Sequence, residues 1–127
     1  MEKKLVLCDT NIFIEFYKNN VSIVNKLNVI GIDNIALSSV TVAELIFGAL
    51  DKTELNQIRE NIEQLIILPI NEKISSTFIE LMLKYSLSHN LDLPDALIAS
   101  TAIIHNLELF TLNVKHFRYI DNLRLWQ

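Results

Sequence analysis

The sequence predicts a three-layer α/β/α domain built on a central, mostly parallel sheet of four to five strands. Two observations predict it. Short apolar runs of three to four residues alternate with longer stretches of helical periodicity, the pattern of a parallel sheet covered on both faces. Glycine and proline are scarce, two of each in 127 residues, too few for the tight turns of a β-sandwich. Half of the residues are hydrophobic and a fifth are charged, so a real core is available, and the length fits a single domain over 1–127.

The elements follow in order. Leu5 to Cys8 is an apolar run ending at Asp9, a first strand. Thr10 to Tyr17 carries Ile12, Phe13, Phe16 and Tyr17 at helical spacing, and Lys18-Asn19-Asn20 closes it. Val21 to Val29 predicts a second short helix facing inward through Val21, Val24, Leu27 and Asn28. Ile35 to Ser38 is the next strand, and Thr41 to Ala49 a helix ending near Gly48. Glu54 to Leu65 has one apolar stripe, Leu55, Ile58, Ile62 and Leu65. Ile66 to Leu68 is a strand, and Asn71 is the N-cap of a long helix carrying Ile74, Phe78, Leu81 and Tyr85 on one face. Pro94 opens another helix, where its missing N–H is tolerated, and Ala96, Ala99 and Ala102 give it a narrow side. Leu109 to Thr111 is a strand, and Leu123 to Trp126 a last, edge strand.

Composition excludes several function classes. Cys8 stands alone, so neither an internal disulfide nor a thiolate zinc site is available, and its apolar flank makes it a core thiol suited to a reducing cytoplasm. Met1-Glu2-Lys3-Lys4-Leu5 lacks the apolar stretch of a signal peptide, and no run approaches the ~20 residues a membrane span needs. A net charge of −4 weighs against sequence-independent binding of a polyanion. It is compatible with a nucleic-acid enzyme whose acids hold cations, because the bound ions reverse the local sign.

Three acids fall where an α/β sheet gathers its chemistry. Asp9 ends the first strand, Glu44 lies in the first turn after the second, and Asp95 lies in the first turn after Pro94. Asn113 follows the strand ending at Thr111. Groups just past the carboxyl ends of parallel strands converge on one crevice. A plainer explanation fits each acid singly. Asp9 can cap the first helix, Thr41 and Glu44 fit a capping box, and Asp92 with Asp95 fits an acidic variant of it. Capping is worth ~1 kcal/mol apiece and does not require that the acids aim at one place.

The strings around these acids resemble a known family. Leu7-Cys8-Asp9-Thr10-Asn11, Ser39 to Leu45, Leu93 to Ala99 and Leu109 to Phe117 resemble, in order and spacing, the four motifs of PIN domains. The compact form is similar to VapC, the toxin half of bacterial and archaeal toxin–antitoxin pairs. The resemblance covers essentially the whole chain. It implies a PIN-like fold and a metal-dependent endoribonuclease that uses Mg²⁺ or Mn²⁺. Asp9, Glu44 and Asp95 match the family's metal-binding acids. Asn11 matches a polar partner of the first acid, and Thr111 a hydroxyl at the site. Asn113 stands where relatives often carry a fourth acid, so the site is expected to be three acids plus amides. Oxygen donors without Cys or paired His suit such hard cations. His89, His105 and His116 show no metal-ligand spacing; His105 is expected on the helix surface or internally satisfied, and for His116, close to the fourth motif, contact with RNA is the lesser reading.

The resemblance also implies an RNA substrate, a homodimer and a small cognate antitoxin seated in a groove near the site. Ile12, Phe13, Phe16, Tyr17, Leu45 and Phe47 are candidates for core and groove, and Lys52, Arg59, Lys115, Arg118 and Arg124 for a basic rim. Rival readings are a PIN nuclease of RNA processing or decay, a non-catalytic PIN-like binding domain, and a receiver-type signalling domain. The last needs an acid paired with Asp9 that this sequence lacks.

Overall fold

The computed structural model describes residues 4–127; the reading of the amino terminus at Met1 to Lys3 lies outside the described residues. Five strands form one sheet: β1 (Val6–Cys8), β2 (Ile35–Ser38), β3 (Ile66–Leu68), β4 (Glu108–Phe110) and β5 (Arg124–Leu125). Their order is β3-β2-β1-β4-β5 and every pairing is parallel. The helices are α1 (Thr10–Tyr17), α2 (Val21–Ile30), α3 (Ser39–Phe47), α4 (Lys52–Glu63), α5 (Glu72–His89), α6 (Leu93–His105) and the single turn α7 (Val114–Phe117). Among the described residues no helix is long and apolar enough to cross a membrane.

The sheet separates two apolar cores. One holds Val6, Cys8 and Leu37 with Ile12, Phe13, Leu27, Ile58 and Ile62 from α1, α2 and α4. The other holds Leu7, Ala36 and Leu109 with Leu81, Tyr85, Ala96 and Ala99 from α5 and α6. Successive residues of β1 and β2 therefore point into opposite cores, as strand pleating dictates. The small stripe of α6 is fully buried, with Ala96, Ala99 and Ala102 all inaccessible to solvent. Cys8 is buried as expected, and burial, then the charge of Asp9, pushes its thiol up to about 12.

Two local expectations are corrected. In α2 the buried stripe is Ile23, Leu27 and Ile30, while Val21 is 70% exposed. Asn20 caps the Ile23 N–H and fixes where the helix starts. Its sequence carries apolar residues on two faces, and packing on the sheet selects the second. In α3 the N-cap is Ser38, not Thr41: its Oγ accepts the Thr41 N–H at 3.1 Å. The helix leaves β2 without a loop, so Thr41 becomes a buried third helical residue and Glu44 lies in the second turn. The Asp92 cap is as expected, with Oδ1 accepting the Asp95 N–H at 2.9 Å.

Scarce glycine has a simple counterpart. Asn90 and Asn106 end α5 and α6 in the left-handed conformation, at φ 54° and 55°. Asparagine tolerates that region better than other side chains, so it closes helices where glycine usually would.

Candidate active site

The central strands β2, β1 and β4 end side by side, and the polar residues that follow them meet above the sheet. Asp9 is the hub. Its backbone N–H donates to Phe110 O at 2.9 Å, extending the β1–β4 pairing by one step. The side chain is almost entirely buried, and both carboxylate oxygens are engaged. Oδ1 accepts the Thr10 N–H at 2.8 Å and Oδ2 accepts the Thr111 hydroxyl at 2.7 Å. Thr111 in turn accepts the Asn113 N–H at 3.0 Å. The Asn11 side chain accepts the Leu112 N–H at 3.3 Å, tying the strand-end loops together. Asp9 thus caps α1, as the plainer reading allowed, and also sits at the centre of this hydrogen-bonded cluster.

Glu44 approaches from α3. Its Oε1 accepts the Thr10 hydroxyl at 2.7 Å. Thr10 and Thr41 hydroxyls lie 3.1 Å apart, and Thr41 and Ser38 hydroxyls 3.2 Å apart. Thr10 has one hydroxyl proton and the carboxylate can only accept, so Thr41 supplies the proton between the two threonines. A relay of hydroxyls therefore runs from the end of β2 to Glu44. Thr10 and Ser38 had no assigned role in the sequence, and Thr41 was expected only as a helix cap. The signal was Thr10 beside Asp9 and the hydroxyls Ser38 and Thr41 before Glu44, which become meaningful once β1 and β2 are known to be neighbours.

Asp95 stands on the first turn of α6, with His116 Nδ1 3.5 Å from its Oδ2. Burial, then the nearby charges of Asp92 and Asp9, push its carboxyl up to about 6; His116 opposes this. Burial also raises Asp9 above the ordinary carboxylate range, against the Thr111 and Thr10 donors that lower it; the charge of Glu44 raises it further. Asp9 thus lies close enough to Glu44 and to Asp95 for their charges to be felt, and Glu44 itself is exposed. The acids do not yet surround a single point: among the described residues no three His, Cys, Asp or Glu side chains are grouped tightly enough to hold an ion.

Other expected residues fall as follows. Asn113 is exposed, and its backbone N–H rather than its amide makes the contact to Thr111. Lys115 and His116 line a cavity that Asp95 shares. Arg124 donates to Asn106 O and Oδ1 and pairs in register with Glu108, at the opposite edge of the sheet from the acids. It does not belong to a rim around the site. His105 is half-buried at the end of α6, and its Nε2 has no partner among the described groups. Phe13, Phe16, Tyr17 and Leu45 border an apolar cavity of about 220 Å³, whereas Phe47 is 92% exposed.

The fold defines a small parallel α/β protein with acidic side chains at the carboxyl edge of its sheet. The sequence matches the PIN domain family over residues 6–123, and the chain belongs to that family. It is 36% identical over 91 residues to ribonuclease VapC10 of Mycobacterium tuberculosis, across 71% of this chain and 68% of that one. It is 35% identical over 137 aligned positions to ribonuclease VapC2 of Rickettsia felis, across 95% and 96%. The crystal structure of VapBC2 from Rickettsia felis, bound to a DNA fragment from their promoter, superposes with a TM-score of 0.79 at 30% identity. That match covers 97% of this chain and 99% of its counterpart. Within the family this chain is VapC-like.

Proposed function

We propose that this chain is a VapC-like toxin, an endoribonuclease that hydrolyses RNA phosphodiester bonds with the help of a divalent cation. The observation that carries the reading is Asp9: a buried carboxylate, locked at both oxygens, facing two further acids across the carboxyl edge of the sheet. Burying mutually repelling carboxylates is unfavourable unless a proton or a cation compensates. The donor set consists of hard oxygens, which fits Mg²⁺ or Mn²⁺.

Asp9 and Asp95 would hold the ion, with Glu44 completing its surroundings directly or through water. When bound, such an ion supplies Lewis acidity toward the scissile phosphate and makes water a stronger nucleophile. The chain's own groups do the rest. Thr111 and the Thr10 N–H fix the plane of Asp9. Thr10 holds Glu44 in reach of the same crevice, and its release would free that carboxylate to turn inward. His116 Nδ1 is placed to share a proton with Asp95 Oδ2. Asn113 and Asn11 hold the loop after β4 in position, and Asn113 adds no charge.

The reading includes a small antitoxin and a second copy of the chain. A groove of about 710 Å³ between α1, α3 and α4 opens beside Glu44 and is bordered by Ile14, Tyr17, Leu45 and Ile58. An amphipathic segment laid there would bring an Arg or Lys to the acids, competing with the cation for their charge.

The test is expression of the chain alone in a bacterial host, with mapping of new RNA ends, followed by cleavage assays on purified protein. RNA cleavage should need Mg²⁺ or Mn²⁺ and stop with chelator. Asp9→Asn and Asp95→Asn should each lose on the order of a thousandfold in rate. Both variants cutting at the wild-type rate, in protein free of contaminating nuclease, would sink the site assignment.

A further inference from the structure

Beside Asp95 lies a feature that holding a cation does not require. A cavity of about 270 Å³ is walled by Asp92, Asp95, Lys115, His116, His89 and Tyr119. The His89 and Tyr119 rings lie flat on each other, centroids 4.0 Å apart and 12° from parallel. Tyr85 meets both edge-on, at 5.6 Å and 5.1 Å. Tyr85 is itself buried, and its hydroxyl accepts the Asp121 N–H at 3.1 Å, bracing the pair from below. Ser88 Oγ lies 2.7 Å from His89 Nδ1, which fixes the orientation of the exposed ring. The platform is thus braced from several sides before anything binds.

We infer that the His89–Tyr119 pair is a stacking platform for a nucleobase flanking the scissile phosphate, which makes His89 a substrate-positioning and specificity residue. The inference rests on the RNA-cleaving reading above and deepens it. Single-stranded RNA is gripped by stacking unpaired bases on aromatic rings, and that grip tolerates or selects bases by their π-face. Three features favour a nucleotide over other occupants. The aromatic wall and the carboxylate Asp95 border the same cavity, so a strand with its phosphate at the acids has a neighbouring base within reach. Lys115 and His116 line the same cavity, and the Lys115 ammonium offers a charge for the phosphate backbone. The platform is flat and preorganised, as stacking requires, rather than an apolar hollow suited to an aliphatic side chain.

The test separates binding from cleavage. Asp9→Asn protein is mixed, without divalent cation, with a short single-stranded oligoribonucleotide carrying 2-aminopurine, whose fluorescence falls when it stacks. The same Asp9→Asn protein is then prepared with His89→Ala and with His89→Phe. Quenching is expected with His89 and with His89→Phe, and its loss, with binding about tenfold weaker, for His89→Ala. An oligomer with abasic sites throughout should bind all three proteins equally. Thermal melts check that His89→Ala remains folded; its exposed position makes that the expected result, and His89→Phe reports independently if it does not. Equal quenching with and without an aromatic ring at 89 overturns the inference. So does an abasic oligomer that distinguishes His89→Ala from its parent. Loss of affinity for a protein partner alone, with RNA binding unchanged, overturns it in favour of a protein side chain as occupant. Absence of cleavage in otherwise native protein would count against the ribonuclease reading and leaves the stacking result standing on its own measurement.

Discussion

Asp9 and Asp95 lie within reach of each other's charge but are held in different ways. Asp9 sits where two strands end, nearly inaccessible to water, with a donor on each carboxylate oxygen. Asp95 sits on a helix turn, partly open, with another acid one turn away and one imidazole at 3.5 Å. The first is a fixed post; the second is an adjustable arm. Under the proposed function, a site that accepts an ion and a substrate in turn would gain from having both. The fixed group defines position, and the loosely held group absorbs changes in charge.

The comparison breaks if Asp9 needs no clasp. Thr111→Val removes its one side-chain donor and leaves a buried carboxylate oxygen unpaired. Partners behind a metal ligand typically matter 10–100-fold, so cleavage and cation affinity should both fall by about that factor. Thr111→Ser keeps the hydroxyl and should recover most of the loss. Equal activity of the Val and Ser variants, measured as kcat/KM at fixed Mn²⁺, would show that Asp9 is positioned by the strand end alone.

A smaller effect is expected on the open side. His116→Ala removes a half-engaged ring that is 61% exposed. Loss of a weak contact in partial solvent should cost no more than about tenfold in rate. It should also move the acidic limb of the pH–rate profile upward, because His116 is the group holding the Asp95 carboxyl down. A loss exceeding that of Thr111→Val would reverse the ranking of the two sides.

What could be read from the sequence divides along the same line. Asp9, Asp95 and Thr111 are legible because each lies in a contiguous string whose strand or helix is local. The parallel sheet follows from alternation of β and α segments, whereas the strand order β3-β2-β1-β4-β5 does not. The hydroxyl relay from Ser38 through Thr41 and Thr10 to Glu44 is not legible, because it exists only once β2 lies beside β1. Glu44 was placed a turn too early for a related reason. A capping box at Thr41 and a cap at Ser38 differ by three residues, and burial of Thr41 against Thr10 decides between them. The His89–Tyr119 stack joins residues thirty positions apart across α6, which no periodicity reports.

The two acids should also differ in what they do to the fold, and here the sign can be worked out. With chelator present, Asp95 titrates at about 6 in the fold against an ordinary 3.8, so burial and its acidic neighbours disfavour its charge. Between those values the folded chain binds more protons than the unfolded one. Stability is therefore highest at low pH for this group and is lost as pH rises through about 6. A shift of that size is nominally about 3 kcal/mol, and solvent screening of a half-open group reduces it to about 1 kcal/mol. Asp95→Asn should accordingly melt a few degrees higher than wild type at pH 7, and the gain should vanish near pH 4. Added Mg²⁺ should close the gap by stabilising wild type alone. Asp9→Asn should gain less, since an amide cannot accept from both Thr10 N–H and the Thr111 hydroxyl as the carboxylate does. Asp9→Asn stabilising the chain as much as Asp95→Asn, in melts from pH 4 to 8, would erase the distinction between a clasped acid and a repelled one.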